Sequence, residues 1–83
     1  MRVHFVGGPE NGDIIETGTT EVPGIPPGYE PGTWSGGKEA ITWQHRRHVV
    51  YIHVSLDRRE VPRLLTAHWR RFVGGELRCL ERA

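Results

Sequence analysis

Hydrophobic positions in this chain follow two periods. In Arg2-Val3-His4-Phe5-Val6, Val3 and Phe5 fall on one side and His4 and Val6 on the other, which reads as a short strand. Gly7-Gly8-Pro9-Glu10-Asn11-Gly12 supplies Gly-Gly, a proline and an Asn-Gly pair in succession, residues that tolerate or pre-set turn dihedrals. Asp13 to Thr17 is then the returning strand. Ile41, Trp43 and His45 share a face in Ala40–His45. In His48–Leu56 an aliphatic face of Val50, Ile52, Val54 and Leu56 alternates with a mixed face of Val49, Tyr51, His53 and Ser55. The polar pair Arg46-Arg47 between these two runs is expected to form the turn. The aliphatic face should meet a helix, and the mixed face the long loop or a partner.

From Val61 the period changes. Val61, Leu64, Leu65, His68, Trp69, Phe72 and Val73 recur at the spacing of one stripe on an α-helix, with Arg63, Arg70 and Arg71 on the opposite face. Asp57 with Glu60 three residues on has the spacing of a capping box. The alternative is a short turn over 57–60 and a helix beginning near Val61. Gly74-Gly75 is expected to stop the helix, leaving residues 74–83 as a tail. The domain then reads as a hairpin at 1–17, a Pro/Gly-rich loop at 18–37, a second hairpin at 38–56, a helix at 57–73 and the tail. The fold class is α+β: a small antiparallel sheet of two hairpins packed against one amphipathic helix.

The loop at 18–37 carries Pro23, Pro26, Pro27 and Pro31, which forbid a central strand. A structureless loop of that length is uncommon inside a compact domain, where such loops are functional or disordered. Tyr29 and Trp34 mark two readings of it: they pin the loop onto the sheet, or they form an exposed contact patch.

At 83 residues the chain is expected to be one domain, burying about 60–65% of its unfolded surface. A lone cysteine, Cys79, rules out an internal disulfide. The opening residues hold no apolar run of signal-peptide length and the chain has none of membrane-spanning length, so the expected location is the cytoplasm or a particle assembled there. Net charge is only +1, but it is divided unevenly. Residues 1–40 carry two Lys or Arg against six carboxylates, and residues 41–83 carry nine against four. Such a division fits halves that complement each other, a subunit contact, or a nucleic-acid surface.

Candidate chemistry is sparse. His45 and His48 stand three apart and His53 follows, but no HExxH or cysteine pair completes a zinc set, so no metal or other cofactor is assigned. Cys79 has no histidine placed beside it, Ser35 and Ser55 lie in no nucleophile elbow, and neither glycine pair continues as a phosphate loop. No catalytic residue is named, and the chain is expected not to be an enzyme.

One resemblance stands out. The alternating strand followed by Gly7-Gly8-Pro9-Glu10-Asn11-Gly12 resembles the opening of many small bacteriophage and prophage proteins, with Asn11 where that pattern usually carries Asp. It extends over about the first sixteen residues. The resemblance implies a phage or prophage origin and carries no catalytic residues. Together these features point to a non-enzymatic protein-binding or virion-assembly subunit. Its partner would be a protein, a larger assembly or a second copy, held through Tyr29, Trp34, Arg63, Arg70 and Arg71. The alternative is a nucleic-acid binder using Arg46, Arg47, Arg58, Arg59, Arg63, Arg70 and Arg71. Steep salt dependence would mark the second.

Overall fold

The computed structural model describes residues 1–17 and 24–82. The chain folds as α+β, with one helix packed on a five-stranded mixed sheet. The strands are β1 (Arg2–Val6), β2 (Ile14–Glu16), β3 (Tyr29–Pro31), β4 (Ala40–Trp43) and β5 (Arg46–His53), and the helix is α1 (Val61–Arg82). β2 lies antiparallel to β1, with Val3 opposite Ile15. β1 pairs with β5 in parallel, with His4 opposite Val50 and Val6 opposite Ile52. The far edge of β5 is shared by two strands, β4 along its first half and β3 along its second, both antiparallel.

The expected all-antiparallel sheet is therefore corrected at its centre. The period-two pattern of β1 and β5 defines their faces, not their relative direction. A five-residue strand whose inner residues are all buried and an eight-residue strand meet across more than forty residues of chain. The turn between β4 and β5 also shifts. Gln44 and His45 form it, with φ of 52° and 64°, and Trp43 pairs with Arg46. Two central residues at positive φ make a primed turn, whose twist matches that of the flanking strands. Arg46 and Arg47 accordingly belong to β5.

β3 lies inside the region expected to be a structureless loop, and Trp34 bridges Lys38 just beyond it. Pro31 is accommodated because β3 is an edge strand and ends there. Of the loop's other prolines, Pro23 lies outside the described residues.

The helix begins at Val61, the second of the two expected starts. Asp57 Oδ1 accepts the Arg59 amide at 2.9 Å and the Asp57 carbonyl accepts the Glu60 amide at 2.9 Å, so Asp57 caps a tight turn that leads into the helix. The Val61 amide reaches the Asp57 carbonyl at 3.2 Å and the Leu64 amide the Glu60 carbonyl at 3.0 Å, and Pro62 between them lies in the first turn, where a missing amide hydrogen leaves no internal bond unmade. At the other end α1 does not stop at Gly74-Gly75 but continues to Arg82. Glycine is permitted at a helix end rather than obliged to make one. The next turn is held by Glu76, whose Oε1 receives Arg2 Nη1 at 3.0 Å, while the Arg2 guanidinium also lies 5.6 Å from the centre of the Phe72 ring.

A Cβ built at Gly74 or Gly75 meets nothing within 4 Å, and neither φ is positive. Gly74→Ala and Gly75→Ala should therefore each raise the unfolding free energy by about 1 kcal/mol, read from chemical denaturation. A helix ending at Gly74 would give the opposite sign.

Two clusters sandwich the sheet. On the helix side Val6, Trp34, Val50, Ile52 and Leu65 are buried together, backed by Ile41, Leu56, Val61, Leu64 and Trp69. On the other side Val3, Phe5, Tyr29 and Tyr51 are buried, with Met1 and Val49 against them. Val54, placed with the aliphatic face by its spacing, lies past the end of β5 and is 60% exposed.

Candidate functional site

Three histidines meet between the sheet and the helix. His4 on β1 is fully buried, His48 on β5 is fully buried and His68 on α1 is 6% exposed. Each occupies a position whose neighbours in phase are apolar: His4 precedes Val6, His48 precedes Val50 and Ile52, and His68 falls on the stripe with Leu64, Leu65 and Phe72. His4 Nδ1 lies 2.8 Å from His68 Nε2, His4 Nε2 lies 2.9 Å from His48 Nδ1, and His48 Nε2 lies 3.3 Å from the Trp43 carbonyl oxygen. Aromatic rings enclose the chain. Phe72 and Trp34 meet His4 edge-on at 4.9 and 5.2 Å between centroids, and Trp69 and Phe72 lie 5.4 and 5.3 Å from His48.

This setting keeps the imidazoles neutral. Burial, then the charges of His68, His48 and Arg2, lower the His4 pKa from 6.5 to about 3. Burial also lowers His48; the Trp43 carbonyl opposes the shift, while Arg2, the N-terminus and Arg46 add to it. His68 is lowered by burial and by Arg71. Neutrality gives the chain a direction. The Trp43 carbonyl can only accept, so His48 carries its proton on Nε2 and accepts at Nδ1. His4 then donates from Nε2 and accepts at Nδ1, and His68 donates from Nε2. The sequence displays the three in-phase positions but not the parallel β1/β5 pairing that brings them together.

The residues expected to bind a partner are distributed differently. Tyr29 and Trp34 are pins: they are 8% and 2% exposed. The Tyr29 hydroxyl donates to the Gly7 carbonyl and accepts from the Glu10 amide at 2.9 Å, holding the β1–β2 turn. Trp34 Nε1 donates to the His48 carbonyl at 3.0 Å. Arg63, Arg70 and Arg71 are exposed on α1.

The arginines considered for nucleic acid fall at separate places. Arg46 and Arg47 open β5, whereas Arg58 and Arg59 follow its far end, roughly 20 Å or more away at the rise of a strand. Arg46 is ion-paired with Glu16, and Arg63 lies 3.4 Å from Glu60. His45, His48 and His53 do not converge: His45 sits in the hairpin turn, His48 is engaged at both nitrogens, and His53 Nδ1 is 2.7 Å from the Ser55 hydroxyl. Among the described residues no group of three His, Cys, Asp or Glu side chains is placed to hold a metal ion. Cys79 is exposed on the last turns of α1.

A concavity of about 540 Å³ opens where β5 hands over to α1. Its floor includes Trp34, Ile52, Leu56 and Leu65, its rim Val54 and Arg58, and its far wall the turn Ser35–Gly37. Among the described residues Arg58 makes no ion pair. No helix among the described residues is long and apolar enough to cross a membrane. In comparisons with known proteins no family matches this chain, and neither a curated protein nor a solved structure matches it.

Proposed function

We propose that this protein is a non-enzymatic binding subunit of phage type that attaches to a protein partner through the groove at the start of α1. The observation that supports this reading is the groove itself. An apolar floor lies beneath a rim that carries Val54, 60% exposed, and Arg58, which makes no ion pair among the described residues. A large apolar side chain belongs on that floor and a carboxylate beside Arg58, so the fitting occupant is an extended peptide segment with an apolar anchor next to an acidic residue. The phage-like opening, with its Gly7–Gly12 turn, supports a role in an assembly, and the uneven charge division supports a contact whose register is set electrostatically.

Selection of a displayed random peptide library on the full chain tests the reading. Enriched peptides should carry the apolar–acidic pattern. Both Val54→Asp and Arg58→Glu should weaken them about tenfold or more, near 1.4 kcal/mol, with little change in stability because both side chains are exposed. Peptides indifferent to both substitutions would remove the groove as the contact surface.

A further inference from the structure

The oriented histidine chain has one open end. With His68 Nε2 donating to His4, His68 Nδ1 is left as a lone pair. It takes no hydrogen bond from the protein, yet among the described residues no buried side-chain nitrogen or oxygen lacks a partner, so this atom is touched by solvent. Two clefts of about 360 and 280 Å³ meet beside it, and both are lined by His68, Arg71 and Asn11. Arg71 forms no ion pair among the described residues. Asn11 Oδ1 accepts the Gly7 amide at 2.8 Å, which leaves the Asn11 amide group to donate. An acceptor whose orientation is imposed from inside the core thus stands beside a free guanidinium and a free amide donor. His68 and Arg71 are one helical turn apart, which sets their β-carbons about 5–6 Å from each other.

We propose that His68, Arg71 and Asn11 form a binding site for a small α-hydroxycarboxylate. The carboxylate lies on the Arg71 guanidinium and the Asn11 amide, and the neighbouring hydroxyl donates to His68 Nδ1. The planar fork of arginine matches a carboxylate, and the fixed lone pair demands a hydrogen from the next atom along. A plain carboxylate leaves that lone pair unmet, whereas hydrogen phosphate carries a hydrogen and is the competing ligand.

Imidazole nitrogen NMR of the full chain, just above neutral pH, tests both halves. Without ligand, Nδ1 of His68 should be unprotonated, with protons on Nε2 of all three histidines. Glycolate should shift the His68 Nδ1 resonance and the Asn11 side-chain amide, and should bind about tenfold more tightly than acetate, the effect of one added hydrogen bond. Arg71→Gln should weaken glycolate by about tenfold and leave the protons of the ligand-free imidazoles on the same nitrogens. The proposal is overturned by a proton on His68 Nδ1, by equal affinity for glycolate and acetate, by tighter binding of inorganic phosphate than of glycolate, or by glycolate binding that Arg71→Gln does not alter. It is also overturned if glycolate, at tens of millimolar, moves neither resonance.

Discussion

Between about pH 7 and pH 5 the unfolding free energy should fall by roughly 2 kcal/mol from His4 alone, and further through His48 and His68. The sign follows from proton uptake. The folded pKa of each histidine lies below its ordinary value of 6.5, so in this range the unfolded chain binds protons that the folded chain refuses. The penalty is absent above 6.5. It grows as pH falls, by up to about 1.4 kcal/mol per pH unit for each histidine, and for His4 it is complete only near pH 3. The charged groups around the chain add to the effect or leave it standing. Arg2 on β1, Arg46 on β5 and Arg71 on α1 are positive, and the nearby Glu16 and Glu76 are already paired with Arg2 and Arg46. β4 contributes the Trp43 carbonyl, which stabilises a proton on one nitrogen of His48 only. A domain of this length holds about 4–12 kcal/mol in total, so such a slope brings it close to unfolding in mild acid. Denaturant titrations at stepped pH should show it. A flat profile between pH 7 and 5 would mean that the chain is not held neutral.

The same cluster marks what was legible in the sequence and what was not. Phase was legible: the stripe from Val61 to Phe72 and the alternation through Val50 and Ile52 do face each other across the core, and the α+β class follows from them. His4, His48 and His68 each sat in phase with core residues, so a buried polar cluster was written in the pattern. Its assembly was not, because period two gives the face of a strand and says nothing about which strand lies beside it or in which direction. The hairpin turn was hidden for a local reason. Gln44-His45 lacks the Asn-Gly signature, and only the backbone shows both residues at positive φ. Gly74-Gly75 misled because a helix continues through glycine when the following turn has something to hold, here the contact between Glu76 and Arg2, which are distant in sequence. Counting arginines also says nothing of their spacing in the fold, where β5 separates Arg46 and Arg47 from Arg58 and Arg59.

Trp34→Ala should cost about 3–5 kcal/mol and leave the protein largely unfolded near physiological temperature. If Trp34 were an exposed contact residue, the change would affect binding and little else. Instead the side chain is 2% exposed in the core with Val50, Ile52 and Leu65, and it meets Trp69 at 5.1 Å and His4 at 5.2 Å between ring centroids. Its Nε1–H closes on the His48 carbonyl, so it also braces the strand that carries the middle of the histidine chain. Removing the indole opens a cavity beside His4 and admits water to imidazoles whose neutrality depends on dryness. The damage should therefore include a weaker pH slope in whatever folded fraction remains. Trp34→Phe separates the two contributions: it retains most of the ring and loses the donor, and should cost about 1 kcal/mol beyond its lost area while preserving the acid sensitivity. Thermal unfolding followed by circular dichroism measures both variants. For a domain of this size a loss of 3–5 kcal/mol lowers Tm by roughly 15–30 °C, whereas a drop within a few degrees of wild type for Trp34→Ala would show that the loop is not held by this residue.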